Sequence, residues 1–240
     1  MPTFSVRENF PVAADVWRMT LVGATPALAS GSFVEVALPN CYLRRPFSVC
    51  ASEKNSFTII YKVVGKGTEI MTHFVENQYV DVITGLGNGF DESRVRRKAL
   101  LVGGGLGVAP LYQLALNLRS RGVKCVFVGG FNSEKDIFLR NEFETICDEA
   151  RYATMDGSFG HQGLVTELIS DVDYDYFYSC GPLPMLKALS KVALTSGQLS
   201  LEARMGCGYG VCMGCSIETA QGPQRVCKEG PVFDKEVLLW

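Results

Sequence analysis

The chain has 240 residues and carries 23 Lys and Arg against 25 Asp and Glu, which gives a formal net charge of −2. This balance leaves no basic footprint of the kind that nucleic-acid-binding domains carry. Hydrophobic residues make up 47% of the sequence, which is ample for packed cores. The first ten residues, MPTFSVRENF, lack the apolar core of a secretory signal, so we expect a reducing, cytoplasmic location.

The first 97 residues predict an antiparallel β-barrel with one short helix. Alternating or β-branched segments recur with Gly, Pro and Asn between them, as is typical of strands joined by turns. The predicted strands are 19–23, 32–38, 57–64 and 79–84. The predicted helix covers 69–76, with Thr68 as its N-cap.

From residue 99 the pattern changes to strands that alternate with helices, which indicates a parallel, doubly wound sheet covered on both faces. The predicted strands are 99–102, 123–128, 152–155 and 174–180, and the predicted helices are 110–121, 134–150, 164–169 and 183–196. The uncharged stretch 99–116 is long enough to mimic a membrane span. It contains Gly103, Gly105 and Pro110, so a strand, a glycine loop and a helix explain it better than a membrane helix.

Four late cysteines, Cys207, Cys212, Cys215 and Cys227, follow the spacing C-x4-C-x2-C with a longer gap to the fourth. This is the plant-type ligand pattern of a [2Fe–2S] cluster. A structural zinc site and a pair of disulfides are the alternatives. Zinc sites favour C-x2-C pairs or mixtures with His, and disulfides favour secreted chains, so the spacing favours the cluster. The other five cysteines are scattered, as small buried hydrophobic residues would be.

Two segments of the predicted barrel suit a flavin dinucleotide. In Arg45-Pro46-Phe47-Ser48 a guanidinium can bind a phosphate, a hydroxyl can bind a ribityl or phosphate oxygen, and the aromatic ring can lie against a flavin. Ile60-Tyr61-Lys62 ends a strand, and Gly67-Thr68 then opens the short helix, whose N-terminus could hold a pyrophosphate. The plain alternatives are an ordinary strand edge and a capped helix.

A second dinucleotide site is predicted at the carboxyl ends of the parallel strands. Gly103-Gly104-Gly105-Leu106-Gly107 joins a strand to a helix, and such glycines permit close backbone approach to a pyrophosphate. Cys180-Gly181-Pro182 closes the last predicted strand at the same edge. No arginine follows the second strand, at Gly129-Gly130-Phe131-Asn132, which favours NAD over NADP.

Together, the Arg45 and Gly67 segments, the Gly103 loop and the Cys180 segment resemble the ferredoxin–NADP reductase superfamily. The cluster motif after the nucleotide domain narrows the resemblance to the electron-transfer subunits of dihydroorotate dehydrogenase B. Further elements of this match are Leu201-Glu202-x-Arg204-Met205-x-Cys207-Gly208 and Gly230-Pro231-Val232-Phe233. At Phe47 many superfamily members carry tyrosine, so a ring can still stack there but any hydroxyl contact is missing.

The resemblance implies an α+β multidomain protein: a FAD-binding barrel at 1–97, an NAD-binding α/β domain at 98–199 and a [2Fe–2S] module at 200–240. It implies that the Arg45–Ser48 and Ile60–Lys62 segments, Gly67 and Thr68 bind FAD. It also implies that Gly103, Gly104, Gly105, Gly107, Gly181 and Pro182 bind NAD, with Cys180 as the catalytic thiol beside the nicotinamide. The four late cysteines would ligate iron.

The implied function is a relay from an FMN-containing dihydroorotate dehydrogenase subunit through the cluster and FAD to NAD+, in pyrimidine biosynthesis. The implied assembly is a heterotetramer with two copies of each subunit. Val211, Met213 and Trp240 are candidates for the docking face. The alternatives are a reductase subunit of a hydrogenase, sulfide dehydrogenase or ferredoxin-linked transhydrogenase, and a zinc-bound interaction protein that reuses the scaffold.

Overall fold

The computed structural model describes residues 3–240, beginning with a closed antiparallel barrel. Its strands are β1 (Thr3–Ala13), β2 (Val16–Val22), β3 (Phe33–Val36), β4 (Arg45–Glu53), β5 (Ser56–Lys62) and β6 (Tyr79–Leu86), and helix α1 (Lys66–Thr72) follows β5. The strand order is β1–β2–β5–β4–β3–β6, and β6 pairs back onto β1. Apolar side chains such as Phe4, Met19 and Ile59 are fully buried and form the core of the barrel.

The second unit is a mixed sheet that extends from a central parallel strand in both directions. Its strands are β7 (Lys98–Gly104), β8 (Lys124–Phe131), β9 (Glu149–Thr154), β10 (His161–Gln162), β11 (Tyr176–Cys180), β12 (Gly197–Ser200) and β15 (Val232–Asp234). Their order is β10–β9–β8–β7–β11–β12–β15, and all neighbouring pairs are parallel except β12 with β15. The predicted doubly wound sheet is therefore confirmed, with one antiparallel edge strand that comes from the cluster module.

Helices cover both faces of this sheet. They are α2 (Ala109–Ser120), α3 (Arg140–Ile146) and α4 (Leu183–Val192). Along β7, Leu101 packs into the core that contains α2 and the barrel residue Ile60, whereas Leu100 packs into the opposite core with Leu189 of α4. Because β7 is buried on both faces, polar side chains are disfavoured at every position, which explains its continuous apolar run.

The stretch 99–116 is β7, a 3₁₀ turn (Gly105–Val108) and the beginning of α2, as expected from its glycines and proline. Within residues 3–240, no helix is both long enough and apolar enough to cross a membrane.

Several sequence-based element predictions are wrong in extent. The helix predicted at 134–150 is a 3₁₀ turn (Glu134–Asp136) followed by the shorter α3, because Leu139 adopts a left-handed conformation with φ of 56°. The last residues of that range already belong to β9. Helix α4 ends at Val192, before the predicted end at 196, and 164–169 forms only a 3₁₀ turn (Val165–Leu168). Strands β1, β4, β10, β12 and β15, and the two strands of a C-terminal hairpin, were not predicted.

The C-terminal module consists of a cysteine loop, the hairpin β13 (Ser216–Thr219) with β14 (Gly222–Arg225), and β15. Asn88, in the segment after the barrel, ties this module down. Its side chain donates to the carbonyls of Glu229 (3.0 Å) and Val232 (2.8 Å) and accepts from the Val232 amide (3.1 Å). The cluster loop is thereby attached to the other two units rather than suspended from a linker.

Candidate functional site

A cavity of about 950 Å³, counted with the solvent at its mouth, opens between the barrel and the C-terminal edge of the sheet. We call it the barrel cavity. Its wall includes most of the predicted flavin residues, namely Pro46, Phe47, Ser48, Ile60, Tyr61, Lys62 and Thr68. The opposite wall comes from the sheet and the segment after it, with Leu106, Ala109, Cys180, Ser200, Leu201, Glu202, Ala203 and Met205.

The two remaining flavin candidates, Arg45 and Gly67, lie outside this wall but next to each other. A Cβ on Gly67 would stand 3.0 Å from Leu38 Cδ1 and 3.4 Å from Arg45 Nε, so Gly67 lies directly beside the guanidinium. Arg45 also donates to the carbonyl of Leu43 at 2.5 Å. The fold thus brings a fixed cation beside the first turn of α1, an arrangement that suits a phosphate.

The sequence predicted Thr68 as the N-cap of the helix. In the structure Thr68 lies within the first turn of the helix instead. Helix α1 begins at Lys66, with Gly65 as its N-cap. The Thr68 hydroxyl accepts from the amides of Val64 (2.9 Å) and Gly65 (3.3 Å) and donates to the Gly65 carbonyl (3.0 Å). Thr68 therefore stabilises the turn that carries the glycines, because it satisfies amides that the helix start would leave unpaired.

Phe47 and Tyr61 form an aromatic corner of the barrel cavity. Their rings meet edge to face, with centroids 6.0 Å apart and an angle of 63°. The Tyr61 hydroxyl donates to Asn9 Oδ1 at 2.9 Å, and burial raises the pKa of Tyr61 far above its ordinary value. Tyr61 therefore offers the cavity an uncharged, fixed ring, which is the surface that a flat heterocycle needs.

A second, larger opening of about 1130 Å³, again counted with solvent, lies over the carboxyl ends of the parallel strands. We call it the sheet cleft. Of the predicted nucleotide residues, Gly104, Gly105 and Pro182 line it. The rest of the wall is mainly apolar and includes Leu106, Gly130, Phe131, Asn132, Met155, Val165 and Met185. Ligands of doubly wound sheets bind at this edge, where the strand order reverses.

Gly103, Gly107 and Gly181 are needed for packing rather than for lining the cleft. A Cβ on Gly107 would overlap the Cys180 carbonyl and stand 2.6 Å from the Gly181 amide nitrogen. A Cβ on Gly103 would stand 2.7 Å from Val108 Cγ2. The loop after β7 therefore packs backbone to backbone against the end of β11, and this contact shapes the floor between the two cavities.

Cys180 lies on the wall of the barrel cavity, and its side chain is buried. Burial raises the pKa of its thiol to about 12, so the sulfur is protonated and uncharged at neutral pH. The barrel cavity and the sheet cleft share Lys62 and Leu106 as wall residues. Cys180 consequently stands near the junction at which two bound cofactors would meet.

The four late cysteines come together in two pairs. The thiols of Cys207 and Cys212 interact directly, and so do the thiols of Cys215 and Cys227. The backbone amide of Cys227 also donates to Cys215 Sγ at 3.4 Å. Across residues 3–240 all nine cysteines are free thiols, and no group of three or more His, Cys, Asp or Glu surrounds a single metal-ion position. A [2Fe–2S] cluster takes two ligands on each of two irons, so this donor set fits it.

Backbone amides prepare Cys207 for ligation. Those of Val211 (3.2 Å) and Cys212 (3.4 Å) donate to its sulfur. The amides of Cys212, Tyr209 and Val211 lower the pKa of Cys207 to about 6, which favours the thiolate that binds metal. Gly208 and Gly210 have φ of 74° and 90°, a conformation that lets the loop turn its amides inward.

Arg225, two residues before the fourth cysteine, reaches across to the ligand loop. Its guanidinium donates to the carbonyl of Gly210 and holds both carboxylate oxygens of Glu229, with a distance of 3.0 Å from Nε to Oε2. The Arg225 contacts lower the pKa of Glu229 to about 2. The hydrogen bond to Gly210 joins the segment that carries Cys227 to the loop that carries Cys207 and Cys212, and the ion pair with Glu229 holds the guanidinium in place.

The cluster loop also touches the barrel. A Cβ on Gly208 would overlap the carboxylate of Glu35, which lies in β3 and is 2% exposed. Among the described residues, Glu35 Oε1 has no hydrogen-bond partner. Burial, and secondarily the charge of Cys207, raise the pKa of Glu35. The barrel and the cluster loop are therefore in direct contact at this point.

Two family models match the chain. The model described as the iron–sulfur cluster binding domain of dihydroorotate dehydrogenase B matches residues 202–239, and that of the oxidoreductase NAD-binding domain matches residues 101–191. Curated relatives described as the electron transfer subunit of dihydroorotate dehydrogenase B (NAD(+)) match nearly end to end. That of Lysinibacillus sphaericus is 42% identical, with 93% of each chain covered. That of Fusobacterium nucleatum is 38% identical, with 95% of each chain covered.

The chain belongs to this family. Among solved structures, the NADH-dependent reduced ferredoxin-NADP oxidoreductase superposes with a TM-score of 0.88 at 28% identity, covering 99% of this chain and 90% of the other. Phthalate dioxygenase reductase, at 19% identity and a TM-score of 0.66, covers 79% of this chain and 63% of its own and shares the fold. Membership in the electron-transfer subunit family confirms the resemblance drawn from the sequence motifs.

Sequence reasoning missed several wall residues. Glu202 and Met205 belong to a motif that was recognised, yet the motif suggested no role for them. Met155 and Val165 line the sheet cleft and carry no motif, and Met185, which ends the Cys180 motif, was given no role. Their positions depend on the loops after β9 and β11, which a local pattern cannot place. His73 is the C-cap that follows α1, and His161 pairs with Glu167 at 2.5 Å.

Proposed function

We propose that this chain is the electron-transfer subunit of an NAD-dependent dihydroorotate dehydrogenase. On this proposal it receives electrons from an FMN-containing catalytic subunit and passes them through a [2Fe–2S] cluster and FAD to NAD+ in pyrimidine biosynthesis. The observation that carries the proposal is the short path between sites. Ser200 at the end of β12 lines the barrel cavity, as do Leu201, Glu202, Ala203 and Met205 after it, and the first cluster cysteine follows two residues later.

The barrel cavity is the proposed FAD site. Phe47 and Tyr61 would flank the ring, Ser48 and the Ile60–Lys62 strand end would line it, and Arg45 with the Gly67-Thr68 turn would bind the phosphates. FAD, when bound, converts single electrons into a hydride. The apolar wall around Cys180 excludes water from the reacting edge, which protects a hydride from loss.

The sheet cleft is the proposed NAD site, with Gly103, Gly104, Gly105 and Gly107 forming its floor and Gly181 with Pro182 its side. Asp136 lies on its wall, 3.9 Å from Lys62. A carboxylate there would repel a 2′-phosphate, and the described lining contains no arginine to attract one, which supports NAD over NADP. Cys180, as an uncharged thiol between the cavities, would position the nicotinamide without adding charge.

The cluster loop is the proposed contact with the catalytic subunit. Val211 and Met213 are 74% and 51% exposed, and such apolar side chains beside a redox centre suit an interface. Trp240 instead donates to Ser190 of α4 at 3.3 Å, so we assign it a lesser part. The proposal extends to two copies of each subunit, to domain limits at 97 and 199, and to the cytoplasm, where thiols stay reduced.

Reconstitution tests the proposal. The purified chain, loaded with FAD and cluster, is mixed with an FMN-containing dihydroorotate dehydrogenase subunit, and NADH-dependent orotate reduction is measured. Activity that requires both chains is the expected result. Zinc in place of iron, or a protein that binds no flavin, would refute the proposal at the level of cofactors.

The similarity to the NADH-dependent reduced ferredoxin-NADP oxidoreductase supports a second candidate, a reductase subunit that serves another dehydrogenase. The same mixture distinguishes the two. A chain that NADH reduces, but that never passes electrons to orotate in the presence of the catalytic subunit, would favour the second candidate.

A further inference from the structure

Glu35 is a buried carboxylate on the side of the barrel that faces the cluster module. Along β3, Val34 packs into the barrel core, so the alternation of the strand turns Phe33 and Glu35 to the outside. Phe33 packs there into the core that contains Cys215 and Cys227. Glu35 is the one charged residue of β3 and is 2% exposed, so its carboxylate lies in a mainly apolar contact between two units.

The carboxylate of Glu35 lies against the cluster loop itself. Its oxygens occupy the space that a side chain on Gly208 would need, and Gly208 directly follows the predicted ligand Cys207. Glu35 Oε1 has no hydrogen-bond partner among residues 3–240. The charge of Cys207 is one of the causes that raise the pKa of Glu35, and such coupling is reciprocal, so a charge on Glu35 acts equally on Cys207.

Two neighbouring carboxylates are held in ion pairs, which offset their charges. Arg225 holds both oxygens of Glu229, and Arg44 pairs with Asp81 at 2.6 Å. The charge of Arg44 also opposes the rise in the pKa of Glu35, but it is the smallest of the three causes that act on that group. An ionised Glu35 therefore adds an incompletely offset negative charge beside the loop.

We propose that Glu35 lowers the reduction potential of the [2Fe–2S] cluster, so that a barrel residue helps to set the energy of the transferred electron. One electron arrives from the catalytic subunit and leaves to FAD, and no bond forms or breaks at this step. The added negative charge is opposed by a nearby carboxylate, and this opposition is strong where water is excluded. The electron is then held less tightly and passes more readily to the flavin. The inference rests on the proposed function, because it requires the cluster in this loop.

The experiment is a redox titration of the chain loaded with FAD and cluster, followed by the electron paramagnetic resonance signal of the reduced cluster. It is run at about pH 8.5, well above the ordinary pKa of a carboxyl group. Glu35→Gln keeps the size of the side chain and removes its charge. Its cluster should be about tenfold easier to reduce, which for a one-electron couple is a rise of about 59 mV. Glu35→Asp keeps the charge and should stay closer to wild type than Glu35→Gln does.

Two further variants test the assignment to charge. Glu53→Gln removes an exposed carboxylate at the opposite end of β4 from Arg45, and this matched control should leave the potential unchanged. Arg44→Gln tests the sign. It removes a cation that acts on Glu35 and pairs with Asp81, so the cluster should become harder to reduce. The g values of the reduced cluster should be those of wild type in every variant, because the ligand geometry is unchanged.

Equal potentials in wild type and Glu35→Gln would overturn this inference and leave the proposed function intact. A shift accompanied by altered g values would also overturn it, since Glu35 would then shape the ligand loop. If Glu35→Gln assembles no cluster, Arg44→Gln decides: a lowered potential supports the inference, and an unchanged or raised one overturns it. A wild-type chain that binds zinc, or assembles no cluster, would overturn the proposed function and this inference with it.

Discussion

At the scale of single residues, glycines determine how closely the backbone segments of the site approach one another. Gly107 lies so near the end of β11 that a methyl group would overlap the backbone of Cys180. Around Gly65, in contrast, no atom lies within 4 Å of the place that a methyl group would take, and the backbone is extended, with φ of 170°. The glycine-rich pattern in the sequence therefore combines positions with different physical requirements.

Gly107→Ala should lower the free energy of unfolding by about 1–3 kcal/mol and weaken NAD binding, because backbone atoms cannot move aside as a side chain can. Thermal unfolding and NADH titration of the flavin-loaded chain measure both effects. Gly65→Ala is the control and should change the free energy of unfolding by less than about 0.5 kcal/mol. Equal behaviour of the two variants would contradict the packing argument.

Arg225→Gln should release the cluster more easily, because the Gly210 carbonyl loses its donor and Glu229 loses its partner. We expect less iron per chain after gel filtration and faster cluster loss to a chelator, with a cost to folding of about 1–2 kcal/mol. Arg140→Gln removes an exposed ion pair with Glu144 (2.8 Å) and serves as control. If Arg225→Gln retains as much iron as wild type, the ligand loop keeps its conformation without Arg225.

At the scale of elements, Asp148 joins α2 to the sheet. Its carboxylate accepts from the Cys125 amide of β8 (2.8 Å) and from Arg119 of α2 (2.9 Å). Burial opposes ionisation of Asp148, but these two donors outweigh it and hold the pKa of the carboxyl below its ordinary value. A group with a lowered folded-state pKa stabilises the protein above its unfolded-state pKa and loses that effect as the pH falls.

Asp148→Asn should therefore lower the free energy of unfolding by about 1 kcal/mol at pH 7, and the difference from wild type should shrink below about pH 4. Urea unfolding at a series of pH values measures it. Asp173→Asn, which affects an ion pair with Arg97 at an exposed site, should have a smaller effect. A difference that stays constant down to about pH 3 would disprove the assignment to the Asp148 carboxylate.

The strands show where local patterns succeed and fail. The apolar run of β7 is recognisable because both faces of the strand are buried, so nothing polar interrupts it. Strand β4 begins with the Arg45 segment, whose Pro46, Phe47 and Ser48 line the cavity, and its strand character was missed. The helix predicted at 134–150 is interrupted at Leu139, whose backbone is left-handed. This conformation is uncommon for leucine, so the sequence pattern did not indicate it.

At the scale of the whole molecule, the C-terminal module is built into the fold. Strand β15 pairs with β12, Asn88 holds the module from the barrel side, and Gly208 contacts Glu35. These contacts bring the cluster loop to the barrel cavity, while Val211 and Met213 remain exposed. The arrangement leaves one apolar region of the cluster loop free to meet a catalytic subunit.

Met213→Glu should weaken binding of the catalytic subunit at least tenfold, which corresponds to about 1.4 kcal/mol, because an unpaired charge would be buried in the interface. Calorimetric titration of the two purified subunits measures it, and flavin bleaching by NADH should not change. Val75→Glu replaces an apolar residue of similar exposure (65%) in the loop after α1 and is the control. An unaltered affinity in Met213→Glu would exclude this surface as the contact.

The sequence by itself determined the order of barrel, parallel sheet and cysteine module, the glycine turns and the cysteine spacing, because each depends on residues close together along the chain. It also predicted Pro46, Phe47 and Ser48, which line the barrel cavity. Only the tertiary structure decided that Glu202 lies near Cys180, that Arg225 reaches Gly210, and that β15 completes the sheet. These contacts join residues distant along the chain, and their pairing depends on how the units pack, which no local periodicity encodes.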